Sequence, residues 1–259
     1  NSSSSYNDLA AFYNQIGNKT KAEDTLRASI ENDPNDVDRQ LRLVRYIREI
    51  KDNEAAIQEL EGLITKSNGL GKLRIALGEL YILNGDTNSS IEVYKKAIND
   101  FPEELTGIEA RISLASIYFI EKDVIQASEV VEEAVAISPN DPKVNYLRAK
   151  IALFNKNIER AIISLRIVVK ETPENIDAYI LLAQAYKLEN NNEQDKNTFN
   201  SAYDNNIMNP AVLLRLEEYH LSREIELEEK NIDNYNAIKE YDYDGLTIKA
   251  SILNNNKKQ

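Results

Sequence analysis

The sequence contains no cysteine among its 259 residues and only one histidine, His220. Without cysteine there is no disulfide, no thiolate nucleophile and no thiolate metal ligand, and a single histidine cannot form a cluster of nitrogen ligands. These absences exclude a zinc site. No group of residues has the spacing of a catalytic constellation either, so the sequence predicts a protein that is not an enzyme and uses no metal and no cofactor.

Long apolar runs and excess positive charge are also missing. No run of about 18 apolar residues occurs, which predicts that no segment spans a membrane. Acidic residues number 43 against 31 basic ones, giving a formal net charge of −12. Such a charge repels nucleic acid and anionic lipid at long range. The sequence therefore predicts a protein or peptide partner and no nucleic acid.

Proline is scarce, with six residues, but its spacing is regular. Pro34 and Pro102 lie 68 positions apart, and Pro139 and Pro173 lie 34 apart. Prolines at such an interval recurrently end a helix and redirect the chain. Six units then align without internal gaps, and only residues 105–107 interrupt them: 3–36, 37–70, 71–104, 108–141, 142–175 and 176–209.

Each unit has the pattern of two helices. Its seventh site is usually leucine, the next residue is usually small, and a tyrosine often follows one helical turn later, as in Leu77, Gly78 and Tyr81. A second apolar stripe with its own small residue follows after a turn such as Gly85-Asp86. Short side chains let antiparallel helices approach closely, so each unit is predicted to be a helical hairpin.

This pattern resembles the tetratricopeptide repeat family, in particular its bacterial-type arrays. The resemblance implies an all-α fold, a right-handed superhelical solenoid of antiparallel hairpins with 34-residue repeats. We expect one solenoid domain over residues 1–259, with a degenerate repeat at 210–242 and a terminal helix at 243–253. The apolar face of that last helix has no partner in the sequence, which favours self-association or further repeats.

A basic cluster is the first candidate binding site. Arg42, Arg45 and Arg48 have a three-residue spacing that places them along one side of a helix. In the family, their sites face or border the concave groove, and Lys72 of the next unit would lie nearby. The hypothesis is that they attract an acidic or phosphorylated segment. The alternative is that they pair with neighbouring surface carboxylates.

A second candidate surface is apolar. Four residues occupy sites that line the groove in the family: Ile75, Ile112, Phe119 and Tyr146. Such a ladder could accept the apolar side chains of a peptide. Burial between neighbouring repeats is the alternative interpretation.

The leading functional hypothesis is a scaffold or adaptor that binds a peptide segment in the concave groove. A narrower hypothesis, which rests on resemblance, places it in a bacterial secretion or exopolysaccharide-export assembly. The alternative is an RNA-binding helical repeat, against which the net charge argues. Localisation stays open between the cytoplasm and an exported or periplasmic setting, with a slight preference for an exported bacterial protein because cysteine is absent.

Overall fold

A computed structural model describes residues 3–66, 71–206 and Leu214, and within these residues the chain is helical without any strand. The helices in chain order are α1 (Ser3–Gln15), α2 (Lys19–Asn32), α3 (Val37–Ile50), α4 (Asn53–Lys66), α5 (Gly71–Leu83), α6 (Thr87–Asp100), α7 (Leu105–Ile120), α8 (Val124–Ile137), α9 (Pro142–Phe154), α10 (Ile158–Glu171), α11 (Ile176–Leu188) and α12 (Asn192–Asn206). None of these described helices is long and apolar enough to cross a membrane.

The turn inside each hairpin follows from its local sequence. Gly17 and Gly85 adopt the left-handed backbone conformation, with φ of 77° and 81°, that glycine adopts without steric cost. The following residue then caps the second helix. Asn18 accepts a hydrogen bond from the backbone N–H of Lys21, and Asp86 accepts one from Ser89. Such caps satisfy N–H groups that have no partner inside the helix, so they fix where the second helix begins.

Helices α1–α8 form the first of two compact units. The large-beside-small pattern is visible where α5 packs on α6. Tyr94 of α6 is only 2% exposed, and its ring occupies the space that a side chain at Gly78 would need. Ser90 of α6 donates a hydrogen bond of 2.9 Å to the carbonyl of Gly78. The glycine therefore sets how closely the two helices of this hairpin approach.

The three-residue insertion at 105–107 extends the start of α7. Gly107 packs so tightly on the carbonyl of Phe101 that a larger residue would clash with it. Arg111, which is 7% exposed, donates a hydrogen bond of 2.7 Å to the carbonyl of Pro102. It also contacts Glu133 of α8, with 3.2 Å between Nε and Oε2. These contacts of Gly107 and Arg111 hold the insertion in place at the start of α7.

Helices α9–α12 form the second compact unit. Its core lies between the hairpins and contains Leu165, Val168 and Leu182. The amide of Asn205 in α12 donates a 2.8 Å hydrogen bond to the hydroxyl of Tyr179 in α11. Antiparallel helices pack in this unit as they do in the first.

The predicted all-α class with 34-residue antiparallel hairpins is confirmed, because each of the six predicted units contains one helix pair. The expectation of one domain over residues 1–259 stays a prediction. The proposed degenerate repeat at 210–242, the terminal helix at 243–253 and His220 lie outside the described residues, apart from Leu214.

Candidate functional site

A cavity of about 180 Å³ lies between the first helices of the first two hairpins, α1 and α3. We call it the Arg42 cavity. Ala10 and Ala11 of α1 contribute to this space, because their short side chains leave room between neighbouring helices. The cavity is lined by Asn7, Ala10, Ala11, Asn14, Leu26, Arg42, Arg45, Tyr46 and Glu49.

Arg42 is the most unusual residue of this cavity. Its side chain is half-buried, and its Nη1 atom is buried without a hydrogen-bond partner. The neighbouring Arg39 shows the ordinary arrangement. Its Nε lies 2.9 Å from Asp36, and its Nη1 donates a 2.7 Å bond to the carbonyl of Ser29. A buried guanidinium N–H without an acceptor carries a desolvation cost that the fold does not offset.

Arg45 and Arg48 are exposed on the same helix. Within the described residues, no salt bridge or side-chain hydrogen bond engages either of them or Arg42. The alternative of surface pairing with neighbouring carboxylates is therefore not seen in this part of the structure. Arg42 and Arg45 line the cavity together, whereas Arg48 lies one turn further along α3 and does not line it.

Tyr46 and Glu49, on the same helix as the two arginines, also line the cavity. The hydroxyl of Tyr46 lies 3.3 Å from Oδ1 of Asn14 and donates to the carbonyl of Lys19 at 3.2 Å. Burial raises the pKa of Tyr46, and the charges of Glu23 and Glu49 raise it further. The cavity thus combines two arginines with one carboxylate among its lining residues.

The other predicted residues are more dispersed. Lys72 is exposed at the start of α5 and does not line the cavity. Ile75 is half-buried and packs on the core cluster that contains Tyr94. Ile112 and Phe119 are half-buried on α7. Tyr146 belongs to the second unit, where the ammonium of Lys150 lies 5.9 Å from its ring centre.

Sequence reasoning missed most of the cavity wall. Asn7 and Asn14 occupy the fifth and twelfth sites of the first unit, the same sites that were considered groove-facing in later units. Applying those sites to every repeat would have identified both residues. Nothing in the periodicity indicated Tyr46 or Glu49, because their role depends on the close approach of α1 and α3.

Comparison with known proteins identifies the repeat directly. The sequence model described as tetratricopeptide repeat matches residues 3–36, 71–99 and 108–141. No curated protein sequence matches the chain.

Several solved structures share the fold. A tetratricopeptide repeat protein from Parabacteroides merdae is 14% identical and aligns over 96% of this chain and 98% of its own, with a TM-score of 0.54. The C-terminal part of a TPR repeat-containing protein from Cytophaga hutchinsonii is 15% identical over 92% and 97%, with a TM-score of 0.59. PilF of Pseudomonas aeruginosa is 18% identical over 76% and 88%, with a TM-score of 0.57. At identities of 14–18%, these similarities show a common fold.

Proposed function

We propose that this chain is a scaffold or adaptor that binds a segment of a partner protein in the groove lined by its first helices. The tetratricopeptide repeat model matches three of its repeats, and similar solved structures are tetratricopeptide repeat proteins. Proteins of this family generally mediate protein–protein interaction and are generally non-catalytic. The finer proposal concerns where on the surface the segment binds and what its chemistry is.

The observation that carries this proposal is the set of unengaged arginines on α3. In a protein with a net charge of −12, carboxylates are abundant, yet Arg42 and Arg45 pair with none of them in the described residues. Their position beside a cavity leaves them available to an acidic segment. Arg48 and Lys72, both exposed, extend the positive charge beyond the cavity. The surrounding negative charge would repel an acidic ligand elsewhere, so this basic strip of Arg42, Arg45, Arg48 and Lys72 would select where it binds.

Apolar contacts would complete the interaction. We assign this part to Ile112 and Phe119, which are half-buried on α7, with Ile75 on α5 as a further contact. Half-buried apolar side chains on first helices can still lose exposed area when a peptide covers them. Charge would therefore set where the segment binds, and apolar burial would add affinity.

We further place the chain in a bacterial secretion or exopolysaccharide-export assembly. The support is the resemblance to long bacterial arrays and the absence of cysteine, which suits an exported protein slightly better than a cytoplasmic one. This assignment is independent of the binding site.

The binding proposal is tested once a partner has been identified by native pull-down and mass spectrometry. The double variant Arg42→Glu/Arg45→Glu keeps helix propensity nearly unchanged and reverses the charge of the strip. Isothermal titration calorimetry in low salt should show affinity for the partner segment reduced by about tenfold or more, which corresponds to about 1.4 kcal/mol.

The control is Lys95→Glu/Lys96→Glu, which makes the same charge change on the exposed side chains of α6. It should leave affinity within about twofold of the unaltered protein, since distant exposed charges are screened. Equal affinity of the α3 double variant and the unaltered protein would assign these arginines to the solvated surface and end the proposal.

A further inference from the structure

The unengaged donor of Arg42 specifies part of the ligand. A buried guanidinium N–H without an acceptor is costly, and an anion is the partner that satisfies it best, because charge-assisted hydrogen bonds are the strongest available. Arg111, which is more deeply buried than Arg42, has carbonyl acceptors and a carboxylate within the fold. Arg42 has no such acceptor among the described residues. The missing acceptor can be supplied from outside the chain.

The size of the cavity limits which kind of ligand can supply the missing acceptor for Arg42. Pockets that enclose a whole small ligand measure about 300–1,000 Å³, whereas the Arg42 cavity has about 180 Å³. It therefore suits one side chain of a bound segment better than a complete metabolite. Ala10, Ala11 and Leu26 supply apolar lining. The methylenes of a glutamate side chain would contact this lining while the carboxylate reaches the guanidinium group.

The charge balance distinguishes between kinds of anion. Glu23, which acts on Tyr46 from outside the cavity, is already paired with Arg27 and Lys51. Within the lining, Arg42 and Arg45 stand against Glu49, which leaves a surplus of one positive charge. One carboxylate neutralises this surplus. A phosphorylated side chain carries about −1.5 to −2 charges at neutral pH and would leave excess negative charge beside Glu49.

We infer that the Arg42 cavity is a socket for one glutamate side chain of the partner segment, and that it selects a singly charged carboxylate over a phosphate. The inference rests on the proposed function and narrows it. The ligand is an acidic rather than a phosphorylated segment, and its anchoring residue binds between α1 and α3.

The test uses single-residue probes, so it needs no identified partner. The probe for the inferred ligand is N-acetylglutamate α-amide, whose side chain carries its only carboxylate. N-acetylphosphoserine amide presents a phosphate, N-acetylalanine presents a terminal carboxylate, and N-acetylglutamine amide is neutral. Each is titrated in low salt into the full chain while the NMR signal of the Arg42 Nε–Hε group is followed. The glutamate probe should bind saturably and at least about fivefold more tightly than each of the others.

Two arginine variants locate the binding. Arg42→Gln should weaken the glutamate probe by about tenfold or more, whereas Arg166→Gln, the same change at an exposed residue of α10, should leave it unchanged. For these variants, binding is followed by the backbone amide signals of α1 and α3. Glu49→Gln should improve binding of the phosphoserine probe by at least about threefold, because it removes the competing negative charge.

The inference is overturned if the glutamate probe does not saturate, if the phosphoserine or alanine probe binds as tightly, or if Arg42→Gln binds like the unaltered protein. These outcomes are separate from failure of the proposed function. If the probe test failed but Arg42→Glu/Arg45→Glu still lost affinity for the partner segment, the proposed binding face would stand and only the glutamate socket would be rejected.

Discussion

Arginine has two different roles in the first unit. Three arginines form ion pairs between two packed helices, which we call junctions. Arg27 of α2 pairs with Glu59 of α4, Arg74 of α5 with Asp100 of α6, and Arg111 of α7 with Glu133 of α8. On the face between α1 and α3, Arg42 and Arg45 line a cavity and make no such pair within the described residues.

Residue type and charge alone therefore do not determine whether an arginine stabilises this fold or remains unpaired. The junction arginines connect helices that the fold must hold together, so their removal should cost stability. Arg42 has the opposite effect, because its buried N–H donor without an acceptor lowers the stability of the folded protein. Residues that lower stability persist where activity requires them. The comparison therefore predicts loss of stability at the junctions and loss of binding at the cavity.

Disruption of junction packing should have the largest effect. Gly78→Trp places a bulky side chain where the ring of Tyr94 already lies, and the free energy of unfolding should fall by about 1–3 kcal/mol or more. Urea denaturation followed by circular dichroism measures it. Gly62→Trp on α4 is the matched control, because no atom lies within 4 Å of a Cβ built there. If both variants were as stable as the unaltered protein, the helix register would be wrong.

Removal of a buried junction arginine should have the next largest effect. Arg111→Gln shortens the side chain that donates to the carbonyls of Pro102 and Gly107 and contacts Glu133. Leaving a buried acceptor without a donor costs about 1–3 kcal/mol, and this applies to the Gly107 carbonyl more than to that of the exposed Pro102. Because the glutamine amide can recover part of this cost, a loss of about 1–2 kcal/mol is expected. Chemical denaturation provides the value. A loss below about 0.5 kcal/mol would show that this junction does not depend on Arg111.

A more exposed junction pair should contribute less, and its contribution should depend on pH. Burial opposes ionisation of Glu23, but its hydrogen bonds to Arg27 and Lys51 outweigh that effect and lower the pKa of Glu23 below its ordinary 4.5. The stabilisation is therefore present above pH 4.5 and lost as pH falls through the lowered value. Arg27→Gln should cost about 0.5–1 kcal/mol at pH 7.

Denaturation of both proteins between pH 7 and pH 3 tests this assignment. The stability difference between Arg27→Gln and the unaltered protein should shrink on acidification. A difference that stayed constant, or grew, would show that the ionised form of Glu23 is not what Arg27 stabilises.

Much of the fold could be predicted from the sequence because repetition makes weak signals cumulative. A leucine beside a small residue is uninformative once, but six aligned units specify a helical hairpin with its turn. Gly17 and Gly85 could be placed in turns from local chemistry alone. The extension of α7 by residues 105–107 was visible only as an insertion, since its packing on Phe101 is a tertiary contact.

The candidate site was predictable only in part. The three-residue spacing identified Arg42 and Arg45 as neighbours on one helix face, and the cavity includes both. The same spacing grouped Arg48 with them, although it lies outside the cavity. No periodic signal distinguishes a paired arginine from an unpaired one, because pairing depends on which carboxylates neighbouring helices bring close. Tyr46 and Glu49 could not be predicted for the same reason, because they line the cavity only where α1 and α3 pack together.

The unfolding free energy of Arg42→Gln, measured beside that of Arg111→Gln, decides whether Arg42 is kept for binding or for stability. If Arg42 is kept for binding, its replacement should change stability by less than about 0.5 kcal/mol or raise it slightly, because a buried donor without an acceptor is removed. Arg111→Gln should lose about 1–2 kcal/mol under identical conditions. A loss in Arg42→Gln as large as that in Arg111→Gln would contradict the account, since Arg42 would then be another structural arginine.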